Sequence, residues 1–190
     1  MKKLASLVVL LVIFSLTVIP SMAADTVQEK MAEEMPLMGP PEQMKELAFL
    51  EGTWDVKGKF RMAPDSAWQE YSAVSTYTYI LDGAALRHDF HMPWMGMEMT
   101  GLGLQCYDRE TQEWQAIWSD NFGGRLSLYS GFRKNGKTVL LGEDKMGGQT
   151  FLTRITSWDE TDTSFQWTME HSMDGGKSWY TSMDAAYTKK

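Results

Sequence analysis

From Gly52 onward the chain alternates. Trp54, Val56, Phe60 and Met62 share one parity, while Asp55, Lys57, Lys59 and Arg61 share the other. Period two marks a strand with one buried and one wet face. Just before it, Met44, Leu47, Ala48 and Leu50 form a short apolar pattern behind Pro41, which predicts a helix over 41–50. Strand patterns then follow at 53–62, 68–81, 84–91, 97–107, 113–120, 126–132, 138–142, 150–158, 164–171 and 178–188. Asp82-Gly83, Asp108 to Thr111, Gly123-Gly124, Asn135-Gly136, Gly147-Gly148 and Asp174-Gly175-Gly176 separate them. These residues tolerate positive φ or bond their own backbone. About ten strands joined by short turns make an up-and-down meander, and closing it removes the exposed edges. No helical pattern long enough for a βαβ crossover intervenes, and no internal repeat is present.

Gly52-Thr53-Trp54 after a short helix resembles the opening of the calycin group of lipocalin-like barrels. Further stretches widen that likeness: Leu50-Glu51-Gly52-Thr53-Trp54, Leu81-Asp82-Gly83, Met95 through Gly103, Cys106-Tyr107-Asp108, Trp118-Ser119-Asp120, Arg154-Ile155 and the terminal Tyr187-Thr188-Lys189-Lys190. In order and spacing they resemble domain-of-unknown-function family 1579, placed with the calycin-like barrels. The resemblance implies an all-β fold: an antiparallel up-and-down calycin-like barrel of about ten strands with a short N-terminal plug helix. It implies no established activity. A more distant likeness is to the haem-binding nitrobindin barrels, which open on G-x-W-x-G-x-G; here Val56 stands in place of the second of those glycines.

The first residues change the picture of where such a barrel works. Lys2 and Lys3 are followed by an apolar run over 7–19, then Pro20 and the small residues of Ser21-Met22-Ala23. That order is an export signal cleaved after Ala23, and its apolar run is short of the ~20 residues that span a bilayer. The expected organisation is a signal peptide at 1–23, a flexible arm at 24–40 and the barrel at 41–190, exported to a periplasmic or secreted location. The single cysteine, Cys106, allows no internal disulfide, so stability must come from packing; its strand context reads as a small buried hydrophobe. The net charge is −7, and loss of Lys2 and Lys3 makes the mature chain more acidic still. With no basic cluster, nucleic acid and, after cleavage, membrane surfaces are poor partners.

Candidate chemistry is sparse. His88, His91 and the methionines Met92, Met95, Met97 and Met99 form the densest cluster, and imidazole with thioether suits Cu(I). The alternation of Met95, Met97 and Met99 reads instead as core packing, and His88 and His91 differ in parity. His171 follows Phe165, Trp167 and Met169 on one parity, where it would serve as a haem ligand or a polar anchor. Asp120 ends the parity Trp114, Ala116, Trp118 and would lie at the inward side of the mouth, as a general acid or as a strand-end partner for a turn. Ser172 to Trp179 matches the Asp-box hairpin, a local turn with Asp174 as its hub. Gly101-Leu102-Gly103 is not a dinucleotide loop, because no third glycine or helix follows; its glycines read as letting the strand bend.

The favoured reading is a barrel that binds a small apolar or aromatic ligand without catalysis. Trp54, Tyr77, Tyr79, Phe90, Trp118 and Trp167 would form its lining, with His88, Asp120 and His171 as polar anchors. Trp54 also reads as a scaffold residue covering the closed end against the helix. No cofactor or metal is assigned. The alternatives are a haem or copper protein using His171 or His88 with His91, a hydrolase or isomerase acting in the cavity, and a barrel filled by its own side chains.

Overall fold

The computed structural model describes residues 39–190; the expected signal (1–23) and nearly all of the arm (24–40) lie outside the described residues. Gly39–Lys190 folds as one compact unit. It begins with a 3₁₀ helix, Glu42–Leu50, that starts behind Pro41. Met44, Leu47 and Leu50 recur every third residue, which is the repeat of a 3₁₀ turn, so all three fall on one buried face.

Ten strands follow: β1 (Gly52–Phe60), β2 (Gln69–Ile80), β3 (Ala85–Trp94), β4 (Met97–Asp108), β5 (Glu113–Asp120), β6 (Ser127–Lys134), β7 (Lys137–Met146), β8 (Gln149–Trp158), β9 (Ser164–Ser172) and β10 (Tyr180–Lys189). Each pairs antiparallel with its chain neighbours, and β1 pairs with β10, so the barrel is closed. The turns do what their residues permit. Asn135-Gly136 links β6 to β7 with both residues at positive φ (53° and 69°), as a two-residue hairpin with matched twist requires. Met95-Gly96 does the same between β3 and β4, with Met95 at φ 50°.

Four local expectations are corrected. Met95 and Met97 are not core residues: they are 84% and 60% exposed at the hairpin tip, and only Met99 turns to the interior. Cys106 is half-buried rather than enclosed, because Gly103 and Gln105 of the other parity take the inward places. The seventh strand, expected to stop at 142, runs on to Met146. The third also runs further, through Pro93; β2 pairs with β3 only as far as His91, so the missing N–H of Pro93 lies on an unpaired edge.

The helix plugs one end of the barrel. Trp54 is wholly buried, donates its indole N–H to Leu50 O at 2.7 Å, and meets Phe165 edge-on at 5.0 Å. Phe165 in turn stacks on Tyr187 at 4.2 Å. Tyr79 donates its hydroxyl to Met44 O, and Lys189 Nζ caps Phe49 O at 2.9 Å. From β6, Arg133 bonds Glu46 O and forms an ion pair with the buried Glu160. The connections that follow β1, β3, β5, β7 and β9 surround the opposite end, which is the mouth.

Candidate functional site

The barrel is not filled by its own side chains. A cavity of about 1020 Å³ runs from Leu47 and Leu50 of the plug to Met62, Pro64, Met173 and Trp179 at the mouth. Inward parity places most of its wall, as the alternation of each strand dictates.

Of the residues expected to line a pocket, Tyr77, His88, Phe90, Trp118, Asp120, Trp167 and His171 do so. Trp54 and Tyr79 do not. Both sit at the strand ends nearest the plug, where the helix occupies the space beside them and its carbonyls at Leu50 and Met44 take their polar atoms. His88 and His91, weighed together as a copper pair, lie on opposite faces of β3. His88 points inward, whereas His91 is outside and meets Glu98 across the β3–β4 hairpin at 3.0 Å. Among the described residues no group of three or more His, Cys, Asp or Glu converges on a point where a metal ion would sit.

Two regions of the wall have distinct chemistry. The first is an aromatic platform on β2, β3 and β5. The His88 ring stacks on Tyr77 with centroids 4.3 Å apart and planes 11° off parallel, and Trp118 lies 5.5 Å away. His88 Nε2 meets Ser75 Oγ at 3.0 Å. Burial removes the water an imidazolium needs and lowers the His88 pKa to about 4, outweighing the opposing Asp89 charge. At neutral pH this ring is therefore an uncharged aromatic surface. Phe90 meets the Trp118 indole edge-on at 6.0 Å. Asp120 fixes that indole: Oδ2 accepts Trp118 Nε1–H at 2.9 Å, while Oδ1 accepts the backbone N–H groups of Phe122 and Gly123. Its role here is the strand-end partner of a turn and the anchor of a wall residue.

The glycines of β4 complete the platform. A Cβ on Gly101 would stand 2.2 Å from the Trp118 ring, and one on Gly103 would press on His88 at 3.3 Å. They are glycines because the indole lies against their backbone, which corrects the expectation that they serve to bend the strand.

The second region is polar, and its hub escaped the sequence reading. Asp144 on β7 is 6% exposed and accepts hydroxyl protons from Ser127, Tyr129 at 2.8 Å and Thr153 at 2.7 Å. Burial alone would raise the Asp144 carboxyl, but these three hydrogen bonds, with Arg125 nearby, outweigh it and hold it below its ordinary value. Thr153 also touches His171 Nδ1 at 3.1 Å. The Phe151 and Tyr180 rings face His171 edge-on at 4.9 and 5.7 Å, and burial lowers its pKa despite the Asp144 charge. The signal for Asp144 was present: Leu140, Gly142 and Asp144 share one parity. The expected strand stopped at 142, short of the charged run Glu143-Asp144-Lys145.

The Asp-box segment forms its hairpin at the mouth. Asp174 accepts from Ser172 Oγ, Ser178 Oγ and the N–H groups of Lys177 and Ser178, which hold its carboxyl at about 2. Trp179 closes it with Nε1–H to Gly176 O, under the Arg154 guanidinium at 4.3 Å.

No curated protein matches the chain. Among solved structures it is similar to Rv2717c from M. tuberculosis, at 10% identity and a TM-score of 0.57, over 80% of this chain and 99% of that one. It is also similar to the S-type phycobiliprotein lyase CPES from Guillardia theta, at 9% identity and a TM-score of 0.50, over 77% of this chain and 91% of that one. At such identities the likeness concerns the fold alone. Residues 39–189 match the model of a family described as protein of unknown function, and the chain accordingly belongs to that family, DUF1579.

Proposed function

We propose that the protein is an exported carrier or sensor whose barrel binds one small, largely apolar, aromatic ligand. The observation that carries this reading is the platform of Tyr77, neutral His88 and Trp118 inside a cavity of about 1020 Å³. Flat rings facing open space offer stacking, and a cavity at the upper end of the ~300–1,000 Å³ range holds a drug-sized molecule. Exposed Met62, Phe122, Leu126 and Met173 around the mouth favour entry of an apolar guest. Export is supported by the order of basic, apolar and small residues from Lys2 to Ala23.

Native mass spectrometry of the protein recovered from the exported fraction tests both parts at once. The expected spectrum shows a chain beginning at Ala24 with a drug-sized adduct that leaves on collisional activation. A bare chain that also fails to take up added naphthalene would overturn the binding reading. Recovery of the chain in the cytoplasm with residues 1–23 intact would overturn export.

A further inference from the structure

The polar wall says which kind of aromatic molecule the cavity accepts. Thr153 is fully buried and has one hydroxyl proton, which goes to the ionised Asp144 carboxylate. At its contact with His171 Nδ1 the Thr153 oxygen therefore has only lone pairs to offer, and Nδ1 must carry the proton. That leaves Nε2 as the basic nitrogen of a neutral imidazole. Nε2 has no partner among the described residues. Arg133 Nε is the one enclosed side-chain nitrogen or oxygen there that lacks a hydrogen bond, so Nε2 is not walled in. The open space beside it is the cavity, which His171 lines.

We propose that this cavity selects aromatic ligands bearing an uncharged hydroxyl, a phenol-type O–H that donates to His171 Nε2. The proposal rests on the cavity being a ligand site and names the group that orients the ligand there. An anion is disfavoured, because Asp144 holds a negative charge one hydroxyl away from the ring. A cation gains little from Asp144, whose oxygens are taken by three hydroxyls with Arg125 3.8 Å off. An ether or a bare hydrocarbon bound against this wall leaves Nε2 without a partner. The groups facing His171 are Asp144 from β7, Tyr180 from β10 and, through Asp144, Tyr129 from β6 and Arg125 from the β5–β6 connection; Arg61 lies beyond, over the Tyr180 ring. Thr153 and Asp144 act as positioning residues that fix which nitrogen accepts.

The test compares 2-naphthol, 2-methoxynaphthalene, naphthalene and 2-naphthoate as probes of the mature chain, by calorimetry or ligand fluorescence. At pH 7.5, 2-naphthol is expected to bind about three- to tenfold more tightly than 2-methoxynaphthalene, and 2-naphthoate more weakly than either. Burial holds the His171 pKa below the ordinary histidine value, so only acidification well past that value protonates Nε2; there the preference for naphthol over its ether shrinks and naphthoate gains. His171→Phe should erase the preference of 2-naphthol over 2-methoxynaphthalene. Thr153→Val should lessen it and Thr153→Ser restore it, a response that loss of packing alone does not produce. Equal binding of naphthol and its methyl ether by the wild-type protein, with naphthalene bound, overturns this inference and leaves the binding function standing. Failure to bind any of the four overturns both.

Discussion

At Gly101 one absent methyl group decides the shape of the cavity wall. Carbon atoms in contact sit ~3.5–4.0 Å apart, yet a Cβ here would stand 2.2 Å from Trp118 Cζ2 and 2.3 Å from Cη2. The indole cannot slide away freely, since Asp120 holds Nε1 and Phe90 and His88 pack on the ring. Gly101→Ala should therefore remain folded, lose ~1–3 kcal/mol as an overpacked site does, and weaken naphthalene binding by displacing Trp118. Near-ultraviolet circular dichroism and the urea midpoint would register the change; a Trp signal and affinity both unaltered would place the indole elsewhere. The sequence shows the glycine pair plainly but not its cause. Gly103 faces Trp118 only because β4 and β5 pair in one particular register.

Among the elements, the plug is held from outside as well as by its own apolar face. Arg133 extends from β6 with its side chain only 8% exposed, contacts Glu46 and Thr138, and pairs with Glu160, which is 4% exposed and also accepts Ser157 Oγ. Removing one partner of a buried ion pair leaves the other charged and desolvated, at a cost of ~3–5 kcal/mol. Arg133→Met should lower the denaturation midpoint accordingly, and replacing Glu160 by Gln in the same chain should recover part of the loss. A midpoint unmoved by Arg133→Met would show that the helix docks by Met44, Leu47 and Leu50 alone. The helix itself was legible from those residues behind Pro41. Arg133 was not, because it is 87 residues away from the carbonyl it bonds. The end of β7 failed for a different reason: Asp144 is a charged residue on an inward parity, and only three hydroxyls from β6 and β8 make that place tolerable.

For the whole molecule, enclosing two histidines inside the barrel couples stability to pH. Burial lowers the His88 pKa from 6.5 to about 4 and lowers that of His171 as well. Between 6.5 and 4 the unfolded chain binds protons that the folded chain refuses, so stability falls with falling pH, by about 3 kcal/mol for His88 alone. The carboxyls of Asp144 and Asp174 are lowered from 3.8, so their contribution is complete above that value and is lost only in stronger acid. Urea midpoints measured from pH 8 to pH 4 should thus decline through the histidine window before the Asp144 and Asp174 carboxylates titrate. His88→Phe should flatten that decline. A midpoint constant down to pH 5 in the wild-type protein would mean that His88 is open to water.

Alternation, turn chemistry and the absence of long helical patterns were sufficient for an all-β closed meander, because period two and short connections are local properties of the chain. The same parity placed Tyr77, His88, Phe90, Trp118, Trp167 and His171 on the interior. Parity says which face a side chain takes, but not how far along the barrel the plug reaches, so Trp54 and Tyr79 were assigned to a cavity that the helix excludes them from. Whether the interior would be open or filled depended on how ten strands set the barrel's width against the volume of the side chains pointing inward. The partnership of Asp144, Thr153 and His171 likewise joins three adjacent strands, β7, β8 and β9. Closure of the sheet brings them together, and nothing in their local sequence does.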